Sequence, residues 1–257
     1  MKNIREKLFA GEAVHGCWLN SGAAINAEIV GKAGFDWVTI DLEHGVGTEN
    51  NLLYQLQALK GSDAVPFVRV EALVRQRAGR LLDIGAGGII FPQIKNADEA
   101  RQAVSFTRYP PEGTRGMAVM VRATEFGKDF DNYYATKKND ALNILQIETR
   151  ESLHYLEEIA QIEGVDVLFV GPADLTLSLG IFRQFDHPDY LEAIKRVNKV
   201  AEKAGKATGI LMGNPGEYEK YYTLGFRMLG CGSDSVFVSQ GAGQMVSTMS
   251  TMKATLK

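Results

Sequence analysis

The sequence is poor in the residues that most often bind zinc or form disulfide bonds, with two cysteines and four histidines in 257 residues. Cys17 and Cys231 lie far apart in apolar segments, so the sequence offers neither a CxxC redox pair nor a cysteine-based zinc site. We interpret both as small buried thiols. No apolar run reaches the roughly 18 residues that a membrane-spanning helix requires, and residues 1–14 lack a signal-peptide core and cleavage site. These absences predict a cytoplasmic protein with no membrane partner.

Positive charge is scarce as well. The formal net charge is −3, and no block of Lys and Arg is longer than two residues. A protein that binds nucleic acid needs a surplus of cations to neutralise phosphates, so we expect no nucleic-acid partner. The sequence is rich instead in glycine, with 27 residues, and 45% of its residues are hydrophobic. A chain of this length and composition can bury a large core.

The chain alternates short β-branched runs with longer amphipathic stretches, the pattern of a strand followed by a helix. Several helical stretches end in a glycine just before the next strand, where a left-handed residue commonly closes a helix. These cap glycines are Gly34, Gly85, Gly164, Gly205 and Gly225. The eight predicted strands are residues 14–20, 37–43, 65–70, 88–94, 143–149, 165–171, 207–212 and 226–232.

Apolar strands separated by helices indicate a parallel sheet covered by helices. Eight such units predict an α/β fold, a closed (β/α)8 TIM barrel formed as a single domain by residues 1–257. The competing fold, an open doubly wound sheet, commonly carries G-x-G-x-x-G after its first strand, and that motif is absent here. One irregular segment, residues 108–140, interrupts the repeat. Its prolines and glycines predict a structured loop, with a short helix at residues 130–138.

Polar residues stand where several predicted strands end. The stretch IDLEHGVG, residues 40–47, places two carboxylates and a histidine after an apolar strand. The active site of a βα barrel is built at the carboxyl ends of its strands, and a polar group buried alone costs kilocalories. We therefore interpret these residues as members of one site. They are Asp41, Glu43, His44, Arg69, Gln146, Glu148 and Asp174.

Glu148 and Asp174 suggest a metal site. No histidine or cysteine accompanies the two carboxylates in the sequence, so the ligands would be oxygen atoms. Oxygen ligands favour Mg²⁺ or Mn²⁺, with water or substrate oxygens completing the coordination. A structural network of ion pairs is the alternative explanation of the clustered charge.

His44 and Arg69 are the candidates for moving protons and stabilising charge. Histidine can act as a base near neutral pH, and we expect the glycines of residues 45–47 to leave room beside His44 for a substrate. Asp83, just before the fourth strand, could orient the imidazole or could be a plain polar residue at a helix end. Arg69, expected to be an exposed cation, is suited to a carboxylate or a developing oxyanion. Backbone N–H groups in the turn at residues 171–175 could bind a small anion.

Six segments together resemble one known family. They are GFDWVTIDLEH, PFVRV, LLDIGAGGIIFPQIKNADEA, RYPPEGTRG, LQIETRE and GVDVLFVGPADLTLSLG. From about residue 16 to about residue 234 the chain is similar to the HpcH/HpaI aldolase family, the metal-dependent class II pyruvate aldolases. The resemblance implies a barrel of the phosphoenolpyruvate/pyruvate superfamily. It also implies an enzyme, a carbon–carbon lyase like 4-hydroxy-2-oxoheptanedioate aldolase, that reversibly cleaves a 4-hydroxy-2-oxo acid to pyruvate and an aldehyde through a pyruvate enolate.

The resemblance also implies roles for single residues. Glu148 and Asp174 would bind the divalent metal, Mg²⁺ or Mn²⁺, with Co²⁺ also acceptable. Gln146 and the backbone at Ala173, together with Asp174, would bind the pyruvate part of the substrate. Arg69 would contact the substrate and stabilise the enolate oxygen.

His44 would be the catalytic base, with Asp83 as its partner. The family usually continues after Glu-His with other residues, often Pro or Asn, whereas this chain has Gly-Val-Gly at residues 45–47. This departure leaves the identity of the aldehyde open and does not touch the residues expected at the metal and pyruvate. The residues expected to line the aldehyde pocket with this loop are Met120, Arg122 and Leu211.

The resemblance further implies a homo-oligomer, a hexamer built as a dimer of trimers. The C-terminal helix, at about residues 235–251, would be exchanged between subunits. An acyl-CoA lyase of the citrate lyase beta type and a non-catalytic 2-oxo acid binding protein remain as alternatives. A Schiff-base aldolase needs a lysine at the carboxyl end of a strand, whereas Lys95 lies beyond the fourth strand and Lys206 at the start of the seventh.

Overall fold

Eight parallel strands form a closed barrel in a computed structural model that describes residues 4–256. The strands are β1 (Val14–Leu19), β2 (Trp37–Asp41), β3 (Val65–Arg69), β4 (Gly88–Phe91), β5 (Leu142–Ile147), β6 (Val167–Val170), β7 (Ala207–Met212) and β8 (Met228–Ser233). Each strand pairs with the next in the sequence, and β8 pairs with β1, where Val14 lies opposite Met228. The predicted (β/α)8 barrel is confirmed, and the doubly wound alternative is wrong.

Helices connect the strands and cover the barrel. They are α1 (Ile4–Phe9), α2 (Ala24–Gly31), α3 (Glu49–Ala58), α4 (Arg75–Ile84), α5 (Ala97–Thr107), α6 (Phe130–Lys137), α7 (Arg150–His154), α8 (Leu156–Ala160), α9 (Pro172–Ser178), α10 (Pro188–Lys203), α11 (Tyr218–Thr223) and α12 (Asp234–Thr255). Two short 3-10 helices span Arg122–Thr124 and Pro215–Glu217. Within residues 4–256, none of the helices has the length and apolar character needed to cross a membrane.

Several helical predictions can be compared with these bounds. The five cap glycines have φ values between 65° and 111°, as a left-handed helix cap requires. The insertion contains α6 where a short helix was predicted. Helices α7 and α8 are separate because the chain leaves helical geometry at Tyr155, with φ −94° and ψ 16°. The C-terminal helix is longer than predicted and extends to Thr255.

The barrel interior is filled by large apolar side chains. Trp18, Trp37 and Phe169 contact one another in edge-to-face or tilted arrangements, with centroid separations between 5.5 and 6.5 Å. Ile4 and Leu8 of α1 join the same buried cluster as the first residues of β1, β3, β5 and β7, so α1 closes the amino end of the barrel. Burying each such side chain contributes about 1.5–3 kcal/mol. Beyond this apolar cluster, at the carboxyl end of the barrel, the interior is lined by the polar residues of the strand ends.

Candidate active site

Arg69, the last residue of β3, forms the centre of a buried ion-pair group. Its Nε donates to Oδ1 of Asp41 at 2.9 Å and its Nη2 to Oδ2 at 2.7 Å, because the two residues lie opposite each other in the β2–β3 register. Its Nη1 lies 3.0 Å from Oε2 of Glu43. The expectation that Arg69 is exposed is wrong. Only 9% of the residue is accessible, and a guanidinium can be buried to this degree because it is paired.

The charges in this group influence one another. Burial by itself would lower the pKa of Arg69, but the bond to Asp41 and the charges of Asp41 and Glu43 raise it above its ordinary value. Arg69 is therefore permanently protonated. Burial raises the pKa of Glu43, although Arg69 opposes that shift. A bidentate pair with two fixed acceptors holds the guanidinium in one orientation.

Glu148 follows β5 and is the most strongly perturbed carboxylate near Arg69. Its Oε1 accepts the backbone N–H of Gln93 at 2.8 Å, and its Oε2 accepts Nε2 of Gln146 at 2.9 Å. Burial raises the pKa of Glu148 to about 8, the N–H of Gln93 opposes the shift, and the carboxylates of Asp174 and Glu43 add to it. Three carboxylates thus lie close enough to repel one another.

The start of α9 approaches Glu148 closely. A Cβ atom on Gly171 would lie 2.1 Å from Oε2 of Glu148, so a larger residue here would displace the Glu148 carboxylate. Pro172 begins the helix, and Ala173 and Asp174 follow in its first turn. The first N–H groups of a helix have no partner within it. The turn therefore brings a carboxylate and free backbone donors toward Glu148.

The residues around Glu148 fit a divalent cation. The side-chain atoms there that can bind a metal are oxygen atoms, the ligand type that Mg²⁺ and Mn²⁺ prefer. A bound cation would also relieve the repulsion among the carboxylates. The buried Oε1 of Gln146 has no hydrogen-bond partner among residues 4–256, as expected of an atom that awaits a ligand. The described residues contain no group of three or more His, Cys, Asp or Glu side chains arranged to bind a metal. Two protein carboxylates would thus need further oxygen ligands from water or substrate.

His44 lies in the loop between β2 and α3. Its side chain is 66% exposed, and its Nε2 lies 3.7 Å from Oε2 of Glu43. The backbone N–H groups of Glu43 and His44 both point to Oδ1 of Asp41, at 3.1 and 3.3 Å. Glu43 thus lies between His44, the candidate base, and the buried cation of Arg69, and its carboxylate contacts both.

The glycines after His44 lie close to neighbouring backbone. A Cβ atom on Gly45 would lie 2.1 Å from the carbonyl oxygen of Asp41. A Cβ atom on Gly47 would lie 3.2 Å from Cα of Gly22. The glycines therefore allow the loop backbone to fold tightly against its neighbours, and the room expected for a substrate beside His44 stays a prediction.

The structure does not bring Asp83 to His44 within one chain. Asp83 lies in the last turn of α4, and its Oδ1 accepts Nη2 of Arg115 at 2.7 Å. Helix α4 follows β3 and runs back toward the amino end of the barrel, whereas His44 lies at the carboxyl end. Among the described residues, no hydrogen bond or ion pair joins the two side chains.

The three residues expected around the aldehyde are also apart in the single chain. Arg122 donates to the backbone carbonyls of Ile84 and Leu56, at 2.8 and 3.3 Å, near the end of α4. Met120 is exposed on the insertion, and Leu211 packs against the cluster inside the barrel.

The sequence placed Asp41 and Glu43 in the site without a separate role for either and gave no indication of Gln93, whereas the geometry makes all three prominent. Asp41 holds Arg69, Glu43 lies between Arg69 and His44, and Gln93 donates to Glu148. The first two follow from strand order, since β2 and β3 are neighbours and both end in charge. Gln93 has a φ of 49°, a left-handed conformation that is unusual outside glycine and that no feature of the sequence signals.

The raised pKa of Glu148 predicts how stability depends on pH in the chelated protein. The pKa of a glutamate is ordinarily 4.5. Between this pH and about 8, Glu148 keeps its proton in the folded protein and releases it in the unfolded chain. The contribution of Glu148 to the free energy of unfolding should therefore fall as the pH rises through this range and stay constant above it. Urea unfolding in the presence of EDTA measures the free energy of unfolding of the wild type and of Glu148→Gln. The variant should be the more stable of the two by an amount that grows with pH. A constant difference would contradict the prediction.

Comparison with known proteins relates the sequence of this chain to one family. Residues 15–240 match the family described as HpcH/HpaI aldolase/citrate lyase. A 4-hydroxy-2-oxo-heptane-1,7-dioate aldolase of Salmonella dublin is 39% identical over 245 residues, which cover 94% of this chain and 92% of that protein.

Solved structures agree with this match. A HpcH/HpaI aldolase/citrate lyase family protein of Burkholderia cenocepacia J2315 is 35% identical, with a TM-score of 0.92 over 97% of this chain and 99% of that one. A HpcH/HpaI aldolase of Desulfitobacterium hafniense DCB-2 is 28% identical, with a TM-score of 0.89 over 96% of each chain. The chain belongs to the HpcH/HpaI aldolase/citrate lyase family, which confirms the predicted family and the predicted enzyme class, a lyase.

Proposed function

We propose that the protein is a divalent-metal-dependent aldolase that reversibly cleaves a 4-hydroxy-2-oxo acid to pyruvate and an aldehyde. The observation that carries the proposal is the group of Glu148, Gln146 and Arg69 at the carboxyl end of the barrel, a buried carboxylate and an amide beside a fixed cation. The relative named 4-hydroxy-2-oxo-heptane-1,7-dioate aldolase supports the substrate class.

Glu148 and Asp174 would hold the metal ion, Mg²⁺ or Mn²⁺, with Co²⁺ also suited to such a site. When bound, the cation would polarise the 2-oxo group and offset the negative charge that develops on it. Gln146 and the backbone N–H of Ala173 would orient the carboxylate and ketone of the pyruvate part. Only Nε2 of Gln146 can donate to these oxygen atoms, and it donates to Oε2 of Glu148 at 2.9 Å, so the amide lies beside the carboxylate that would hold the metal.

The chain's own residues account for the bond cleavage. His44 takes the proton of the 4-hydroxyl, the hydroxyl oxygen becomes the aldehyde oxygen, and the C3–C4 bond breaks. The electron pair of that bond moves into the C2–C3 bond, and the ketone oxygen becomes the enolate oxygen. Arg69 has five N–H donors, and its contacts with Asp41 and Glu43 occupy three of them. The remaining two can stabilise the enolate.

We propose that the active enzyme is a hexamer, a dimer of trimers, in which α12 is exchanged between subunits. Asp234 anchors the start of this helix, because its buried carboxylate accepts the backbone N–H groups of Asn20 and Ser21 at 2.9 and 3.2 Å. Beyond Asp234 the helix is exposed, and its large apolar residues include Val238, Met245, Val246, Met249 and Met252. A second copy could cover this apolar surface.

In this assembly the Asp83 that meets His44 would come from another subunit. Mixing subunits tests this: hybrids of His44→Ala and Asp83→Asn contain some sites with both residues intact, since each variant supplies what the other lacks. We expect hybrids formed by co-expression to cleave substrate faster than either parent oligomer. If both residues act within one chain, every site is defective and the hybrid rate cannot exceed that of the parents.

The test of the proposed function is a screen of 4-hydroxy-2-oxo acids with aldehyde parts of different length and charge. Pyruvate release is measured with and without EDTA, and we expect cleavage that chelation abolishes and Mg²⁺ or Mn²⁺ restores. Carbon–carbon cleavage of an acyl-CoA substrate, followed by release of a shorter acyl-CoA, would favour the citrate-lyase-like alternative. Pyruvate binding without turnover of any substrate would favour a binding protein.

A Schiff-base mechanism has little support in the geometry. None of the eight strands contains a lysine. Lys95 is exposed beyond β4, and Lys206 precedes the first residue of β7, at the amino end of the barrel. Reduction with borohydride in the presence of pyruvate should therefore leave the protein unmodified.

A further inference from the structure

The loop that carries His44 is fixed at both ends by charged residues. At its start, Asp41 accepts two loop N–H groups and is itself bound to Arg69. At its end, Glu49 is the first residue of α3. Among residues 4–256 the imidazole forms no hydrogen bond or ion pair other than the one with Glu43, so the position of His44 depends mainly on the loop backbone.

The far end of the loop is attached to α4 and to the segment that follows Arg69. The carboxylate of Glu49 binds Arg77 and Arg80, both on α4. Arg77 also binds Glu71, two residues beyond the end of β3, and its Nε lies 2.8 Å from Oε1 of that residue. Arg77 is thus bonded to both carboxylates and joins the end of the His44 loop to the chain that leaves Arg69.

Arg77 also faces open space beside the loop. A cavity of about 410 Å³ is lined by Leu42, Gly47, Thr48, Glu49, Asn50, Glu71 and Arg77. Without Arg77, Glu71 would lose this ion pair and the loop could move into the cavity. The side chains of Glu49 and Arg77 are 18% and 32% exposed, so their ion pair is less screened than one on the open surface.

We infer that Arg77 is a positioning residue for His44: it fixes the loop so that the imidazole stays beside Glu43 and above Arg69. The inference rests on the proposed function, in which His44 takes the hydroxyl proton. Arg77 acts only through His44, so its loss should affect aldol cleavage and not a reaction that reaches the enolate without a hydroxyl proton. Decarboxylation of oxaloacetate is such a reaction, because loss of CO₂ supplies the electron pair.

The experiment measures both reactions in Arg77→Gln, His44→Ala and the double variant of the full-length protein. We expect Arg77→Gln to lower kcat/KM for aldol cleavage by about tenfold, because small misplacements of a reacting group are costly. Decarboxylation should stay within about twofold of the wild type. In the His44→Ala background, Arg77→Gln should cause no further loss, since residues that act through one another are not additive.

Arg101→Gln is the matched control, because Arg101 is also a helical arginine paired with a carboxylate, Asp98, at 2.6 Å, and lies on α5. It should change neither reaction. Equal loss of both reactions in Arg77→Gln, no loss of cleavage, or the same further loss in the His44→Ala background would each overturn the inference. If Arg77→Gln does not fold, both reactions are measured for Arg77→Lys, alone and combined with His44→Ala, and are judged by the same criteria. The single variant His44→Ala separately tests the proposed function.

Discussion

Glu148→Gln is expected to lose pyruvate binding and aldol cleavage together, with cleavage lowered at least about 10³-fold. The variant removes a charged metal ligand, and a bound cation contributes several kcal/mol to stabilising the developing charge, where about 1.4 kcal/mol corresponds to a factor of ten. Asp174→Asn should resemble it. Metal binding by titration, pyruvate binding and pyruvate release are the measurements.

The geometry around Glu148 explains why this variant should still fold. A glutamine oxygen can accept the N–H of Gln93 as the carboxylate does. The new amide group would face Nε2 of Gln146, but that side chain can turn and present its unpartnered Oε1. Removal of a buried charge beside Asp174 and Glu43 also relieves repulsion.

A surface carboxylate provides the control for this result. Glu157 pairs with Arg196 at 2.6 Å on the outside of the barrel, and Glu157→Gln should keep both activities. Full activity of the wild type after exhaustive chelation, or of Glu148→Gln, would refute the metal site.

The barrel and the members of its polar end could be predicted because both depend on local patterns. The strand pattern repeats eight times, five of the helices end in a cap glycine, and charge at the end of an apolar strand is visible without a structure. Arg69 shows where this reasoning stops: its exposure was wrongly predicted, because the sequence does not state that Asp41 faces it across the β2–β3 register. The predicted barrel makes β2 and β3 neighbours, but it does not determine which of their residues face each other.

Asp83 and Gln93 could not be placed in the same way. Asp83 lies only a few residues before β4, but the helix that contains it ends at the amino end of the barrel. Within one chain Asp83 binds Arg115, and the role proposed for it requires a second copy. Gln93 combines a left-handed backbone with an N–H bonded to Glu148. These contacts join residues that are distant in the sequence, so local patterns do not encode them.

His44→Ala is expected to separate two reactions that share one enolate. Aldol cleavage needs a base to take the 4-hydroxyl proton, and loss of a general base typically lowers the rate by about 10²–10⁴-fold. Oxaloacetate has no such hydroxyl and reaches the enolate by losing CO₂, so its decarboxylation should suffer much less. The side chain of His44 is mostly exposed, and its removal leaves the bonds between Asp41 and the loop backbone intact. A selective loss would therefore reflect chemistry and not unfolding.

Arg69→Ala should impair both reactions, because Arg69 stabilises the enolate that is common to them. This variant also leaves Asp41 buried without its partner, so its thermal unfolding must be compared with that of the wild type. His154→Ala, which removes a histidine from the end of α7, is the control and should change neither rate. Measuring both reactions on the same preparations decides the roles. If His44→Ala loses the two activities in parallel while it still binds metal and pyruvate, His44 is not the base for the hydroxyl proton, and the base must be sought elsewhere at the carboxyl end of the barrel.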